Sequence, residues 1–306
     1  MNAQGCHPRN LMLITPERMF YAGLLGRPRA RCAGFFNVYV AMDGGLTLSA
    51  KGVADQHDEI LVVQPAIPHT VVGENRSVIC IAAEPESVRA NALEDLTHRL
   101  IGPERRVFAR RIRAAYDRIG REICRRQVSN AELDILCFGE ALPRRQIDGR
   151  IARAITRLER PFNGVSAESC AMDAGLSVSR FLHLFKDQTG SCFRFFRAWK
   201  RARQLLYFAN QNLSLTHLAQ DLGYPDSSHL SHSIRRFYGL KPSAIFVGSR
   251  DLAIYASSTD FGSSSGEWFA QPPGFGLPAQ PLAQRVPARS ASPLGPASSH
   301  KRVRQR

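Results

Sequence analysis

Between Phe35 and Ala83 the apolar residues come in short runs cut by turn signals. Phe35 to Ala41 is followed by Asp43-Gly44-Gly45 and then Leu46-Thr47-Leu48. Asp-Gly between strand-like runs predicts a hairpin. Ile60 to Val63, Thr70 to Val72 and Val78 to Ile81 continue the series, separated by Pro65, Pro68 and the Gly73-Glu74-Asn75 turn. Strands this closely spaced predict a small barrel or sandwich. From about Glu86 to Leu142 the period becomes helical. Val107, Ile112, Tyr116, Ile119 and Ile123 recur on one face with arginines elsewhere, and Pro143 ends the stretch. That apolar face is a candidate dimer contact, and the arginines form its wet side. Residues 150–250 read as helices joined by short turns. Residues 257–306 hold 21 Ser, Gly or Pro among 50, too few aliphatics to offset ordering entropy, so a disordered tail is expected over 251–306.

The helical segment contains an internal repeat. Ala171-x3-Gly175-Leu176 is echoed by Ala219-x3-Gly223-Tyr224, and Phe181, Phe185 and Gly190 by Leu230, Ile234 and Gly239. A small Ala lets two helices approach closely, and a Gly tolerates the positive φ of a sharp reversal. Ser177 is placed to cap the helix after the first turn; Asp226 or Ser227 does so in the second copy. Phe181, Leu184 and Phe185 share one helix face, opposite Ser179, Leu182, His183 and Lys186. In the second copy Leu230, Ile234 and Phe237 oppose Ser228, Ser231, His232 and Arg235. Each unit is therefore a helix-turn-helix whose second helix would enter the major groove of DNA. Phe193 to Ala209 reads as one long connecting helix with apolar Phe195, Phe196, Trp199, Leu205 and Leu206 and basic Arg194, Arg197, Lys200, Arg201 and Arg203.

Charge changes the picture by its placement. The formal charge of the 306 residues is +15, carried by 36 Arg and 5 Lys against 26 acids. Residues 1–100 are net −1 and residues 150–250 net +9, which suggests two jobs in one chain and a polyanion at the second. No apolar run reaches the ~18–20 residues of a membrane span, and the N-terminus lacks a signal-peptide pattern, so a cytoplasmic protein without membrane contact is expected. Seven cysteines without CxxC spacing argue against a disulfide framework or zinc knuckle, and Cys170 and Cys192 read as core fillers.

Residues 150–250 resemble the DNA-binding domain of the AraC/XylS family of bacterial transcription regulators. The landmarks are Ala171-x3-Gly175, Phe185-Lys186-x3-Gly190, Ala202-x2-Leu205-Leu206, Ala219-x3-Gly223-Tyr224 and Ser228-x-Leu230-x3-Ile234-x4-Gly239-x2-Pro242. The resemblance departs at Leu230 and Ile234, where Phe is usual, at Ala198 and at His232. Residues 35–83 look like the family's cupin-type effector domain, with Pro65-Ala66-Ile67-Pro68-His69 as landmark. The fold implied is α+β: an N-terminal cupin-like β-barrel (1–100) with linker helices that support a dimer (101–149), then an all-α domain of two helix-turn-helix units joined by a long helix (150–250). The function implied is sequence-specific promoter binding, with activation through RNA polymerase and a small-molecule effector on the N-terminal domain. DNA-contacting roles fall on Ser179, Arg180, Leu182, His183 and Lys186, and on Ser228, Ser231, His232 and Arg235.

Two other readings stay open at this level. His57 and His69 raise a metal-dependent cupin enzyme fused to a DNA-binding domain, but the close His-x-His pair of metal cupins is missing, and His69 reads as a structural or pocket-wall residue. No nucleophile or paired-carboxylate arrangement argues for catalysis, so neither enzyme activity, cofactor nor metal is expected. The other alternative is a non-specific nucleic-acid binder.

Overall fold

The structure is a computed structural model that describes residues 10–122, 127–159, 164–211, 213–248, 251–257 and 268–271. Ile123 and the bulk of the expected tail lie outside the described residues. The described residues begin with two strands ahead of the run at Phe35. These are β1 (Asn10–Ile14) and β2 (Arg18–Leu24), paired antiparallel around Thr15, whose hydroxyl accepts from the Arg18 amide at 2.9 Å. With β3 (Phe36–Ala41), β6 (Ile60–Val63) and β8 (Ser77–Ala83) they form the larger sheet; β4 (Leu46–Ala50), β5 (Val53–Asp58) and β7 (His69–Gly73) form a second, ordered β5-β4-β7. Side chains of both sheets meet in one core, yet the two do not close into a continuous barrel.

The turn at Asp43-Gly44-Gly45 does not close the expected hairpin. It carries the chain from one sheet to the other, because β3 is buried along its length and takes β6 and β8 as neighbours. The hairpin comes one turn later, between β4 and β5 at Lys51-Gly52, with Gly52 at φ 80.

Three helices cover the outer face of the larger sheet: α1 (Ala90–Ile101), α2 (Arg105–Glu122) and α3 (Asn130–Phe138). Phe108, Ile112, Ala115 and Ile119 of α2 pack with Val38, Val40, Ile79 and Ile81. The apolar face of α2 is thus used within its own chain, and Val107, read as part of that stripe, is exposed. A buried Arg18–Asp134 fork, at 2.7 and 2.9 Å, rivets α3 to β2.

The helical domain runs through α4 (Gly149–Glu159), α5 (Ala167–Asp173), α6 (Val178–Thr189), α7 (Phe193–Arg203), α8 (Leu215–Asp221), α9 (Ser227–Tyr238) and α10 (Pro242–Gly248). The long helix expected to Ala209 is helical to Arg203 and then tightens into a 3₁₀ segment, Gln204–Phe208, a common way for a helix to end. The first unit has its own core, with Phe181, Phe185, Phe193 and Phe196 stacked edge to face; the second shares a core with the sheets.

After α10 the chain returns to the larger sheet. β9 (Leu252–Ser257) lies parallel to β1, and β10 (Trp268–Gln271) adds to β9, giving the order β10-β9-β1-β2-β8-β3-β6. The tail expected from residue 251 is thus overturned over Leu252–Ser257. Leu252 and Ile254 enter the core facing the helical domain, Ala253 and Tyr255 the core under α1 to α3, and the edge of β1 supplies the ladder.

The connecting helix is fastened to the larger sheet. Trp199 packs edge-on against Phe35 at 4.7 Å, over the backbone of Gly34, where a Cβ would overlap the indole. Lys200 Nζ lies 2.6 Å from Glu86 and 3.4 Å from Glu84, and Arg203 Nε faces Glu84 at 2.8 Å as a charge contact without an aligned hydrogen bond. Gly239 ends α9 at φ 65, where a Cβ would stand 2.9 Å from the Arg29 carbonyl, so both conformation and closeness demand glycine.

Candidate nucleic-acid interface

The sequence repeat is also a repeat of backbone bonds. Leu176 N–H donates to the Ala171 carbonyl at 2.9 Å, and Tyr224 N–H to the Ala219 carbonyl at 2.8 Å. Gly175 and Gly223 make the reversals at φ 64 and 68, and Ala171 and Ala219 are fully buried where the helices cross. Ser177 caps α6 by accepting from the Arg180 amide at 3.4 Å. Of the two cap candidates in the second copy, Asp226 is the one used: it accepts from the amides of Ser228 and His229 at 2.8 and 2.9 Å, and these bonds hold its carboxyl below the usual range. The helix N-terminal amides favour that negative charge.

These turns set which face of each second helix is wet. On α6, Phe181 and Phe185 are buried, while Ser179, Arg180, Leu182, His183 and Lys186 are exposed. On α9, Leu230, Ile234 and Phe237 are buried; Ser228, His232 and Arg235 are exposed, and Ser231 is half-buried. Leu230 and Ile234, the departures from the AraC/XylS pattern, fill core positions. His229 was not singled out from sequence; it sits at the start of α9, with Nδ1 3.0 Å from Asp226.

Helix α7 sorts its cations onto two faces. Arg194, Arg197 and Arg201 line the grooves beside α6 and α9: one groove contains Ser179, Leu182, His183, Lys186, Arg194 and Arg197, the other Arg194, Arg197, Arg201, His229 and Arg236. Arg197 also donates to the Val165 carbonyl at 2.9 Å, and Arg201 lies 5.3 Å over the Tyr224 ring, so each is anchored to one helix-turn-helix unit. Lys200 and Arg203 belong to the opposite face and are buried. Spacing carried this distinction: 194, 197 and 201 form one stripe, and 200 and 203 run with Phe196 and Trp199 on the other.

The cysteines divide likewise. Cys170 is buried in the first unit's core, but Cys192, expected as a core filler, is exposed because it occupies the position before α7. His57 bonds Thr47 at 2.9 Å on the surface, whereas His69 is buried against Tyr39. Among the described residues no group of three or more His, Cys, Asp or Glu is placed to hold a metal, and no helix is long and apolar enough to cross a membrane.

Residues 150–246 match the family described as a helix-turn-helix domain. The DNA-binding domain of AdpA, a global transcriptional factor solved with a target DNA, is similar at 24% identity, covering 33% of this chain and 89% of that one, with TM-score 0.29. The C-terminal domain of AraT, a response regulator from Geobacillus stearothermophilus, aligns at 17% identity over 34% of this chain and 88% of its own, with TM-score 0.32. ToxT from Vibrio cholerae, solved with an unsaturated fatty acid, aligns at 11% identity over 76% of this chain and 97% of that one, with TM-score 0.48. A search of curated proteins gives no match. The C-terminal part of the chain is a helix-turn-helix DNA-binding domain. Its landmark residues resemble the AraC/XylS pattern.

Proposed function

We propose that this protein is a sequence-specific transcription regulator, acting as an activator, that lays α6 and α9 in neighbouring major-groove segments of one promoter. The observation that carries this reading is the doubled helix-turn-helix: two second helices turn polar stripes outward, with Arg194, Arg197 and Arg201 lining the grooves beside them. Ser179, Arg180, Leu182, His183 and Lys186 read one segment; Ser228, Ser231, His232 and Arg235 read the next. Arginines on phosphates supply affinity without sequence information. Base choice falls to polar contacts, to Leu182 against a thymine methyl and to DNA shape. The N-terminal domain senses a small molecule, whose differential affinity for two arrangements shifts the reading heads. The AraC/XylS likeness implies RNA polymerase as partner, and a homodimer would pair through a surface other than the apolar face of α2.

Mapping of bound DNA across the genome, followed by competition with random duplex, tests the reading. A site bound at least ~10³-fold more tightly than random DNA is expected. Equal affinity for both would favour the non-specific binder.

A further inference from the structure

A cleft of about 250 Å³ lies between the first helix-turn-helix unit and the N-terminal domain. The 3₁₀ turn Pro85–Ser87 and the start of α1 line one side, and the end of α6 and the start of α7 line the other. Glu86 is part of the lining and only 6% exposed. Lys200 Nζ stands 2.6 Å from its Oε1, while its Oε2 is buried without a hydrogen-bond partner. Lys200 is also shared with Glu159 and Glu84, at 3.2 and 3.4 Å, so its charge is divided among three carboxylates. A carboxylate oxygen buried without a donor is costly.

The rest of the lining favours a positive charge beside that oxygen. Glu94 adds a second, exposed carboxylate. Helix α6, twelve residues long, ends against the cleft at Thr189 and Gly190, and a helix C-terminus carries partial negative charge. Phe195, Phe196 and Trp199 make part of the wall aromatic, and aromatic ring faces attract cations. Arg145, the one basic residue of the described lining, is drawn to the end of α6, where it donates to the Asp187 carbonyl at 3.1 Å. We infer that this cleft binds a small organic amine as its ammonium ion, the charged head on Glu86 Oε2 and the carbon body against Leu93 and Phe195. An ammonium brings three donors, and its attached carbons suit the apolar wall. The size fits, since a cavity of roughly 150 Å³ holds a benzene ring and this one leaves room for a short arm. The inference rests on the sensing role proposed above and names a site and a ligand class for it. A ligand here touches the N-terminal domain and the unit that carries α6 together.

Calorimetry of the full chain with benzylamine and pentylamine, each against its neutral alcohol, tests this. At least one amine is expected to bind one to one and at least ~10-fold more tightly than its alcohol, equivalent to ~1.4 kcal/mol. Glu86→Gln should abolish that preference, with circular dichroism confirming the fold. Glu94→Lys changes an exposed residue of α1, so it should fold normally and shrink the preference. Ala90→Trp, at the exposed start of α1, fills the cleft and should weaken amine and alcohol alike. Failure of both amines to bind, no amine better than its alcohol, a preference unchanged in Glu94→Lys or in folded Glu86→Gln, or full binding by Ala90→Trp overturns the inference. None of these measurements uses DNA, so loss of the regulator reading would leave the amine result standing, and the reverse.

Discussion

Lys200→Met removes one cation from the cluster that holds the connecting helix to the larger sheet. Its Nζ stands 2.6 Å from Glu86, 3.2 Å from Glu159 and 3.4 Å from Glu84. Glu84 and Glu86 are 1% and 6% exposed, whereas Glu159 is 47% exposed, so its contact is discounted for solvent screening. With Lys200 gone, Arg203 is left to balance two buried carboxylates. Breaking a buried ion pair from one side costs ~3–5 kcal/mol. The lower end applies, because a carboxyl can take up a proton: burial, with the like charge of Glu86, pushes Glu84 up to about 7 against the pull of Lys200 and Arg203. We therefore expect urea unfolding of the full chain to show a loss of ~3 kcal/mol at pH 8 and less at pH 6, where Glu84 is protonated. Adding Glu86→Gln to Lys200→Met should restore ~1 kcal/mol or more. The salt dependence of DNA binding should not change, since Lys200 faces the sheet. A loss below ~1 kcal/mol, the worth of a surface pair, or a shallower salt slope would refute the argument.

Three further outcomes follow from other parts of the fold. Phe185→Ala should cost ~3–5 kcal/mol in denaturant unfolding, because Phe185 is fully buried with ring centroids of Phe193 and Phe196 each 5.1 Å away. Leu182→Glu should weaken specific DNA binding in mobility-shift assays, leaving only the contacts of α9, while shifting stability by no more than ~0.5 kcal/mol, since Leu182 is exposed and its new carboxylate would face phosphates. His69 is held neutral, with a folded pKa near 4 against the ordinary 6.5. Its stabilisation is full above pH 6.5 and is lost as pH falls toward 4, by ~3 kcal/mol in total. His69→Gln should flatten that part of the stability profile.

The helical domain was readable in sequence because its constraints are local. Gly at the two reversals, Ala at the two crossings and apolar residues at i, i+3 and i+4 each answer to one turn of chain, and they recur in both copies. The β domain was readable only as strands. A strand such as β3, buried on both faces, does not announce its neighbours, so the Asp-Gly turn suggested a pairing that the sheets do not make. β9 was hidden by its position: five apolar residues, Leu252 to Ala256, lead directly into a Ser-, Gly- and Pro-rich stretch. The seam of Arg194, Arg197 and Arg201 was seen only as part of a basic helix, although helical spacing separates it from Lys200 and Arg203; the sheet adds that the latter two are buried. Glu86 and Glu94 carry no motif, and only the fold brings them to the end of α6.

Whether α6 and α9 read one duplex together is decided by footprinting the wild-type chain and two variants on a genome-selected site. Wild type should protect two major-groove segments on one side of the DNA, with centres ~10–10.5 base pairs apart, or ~34–36 Å. Leu182→Glu should erase one segment and His232→Glu the other. A single protected segment, or two on opposite sides of the helix, would contradict the double-reader arrangement.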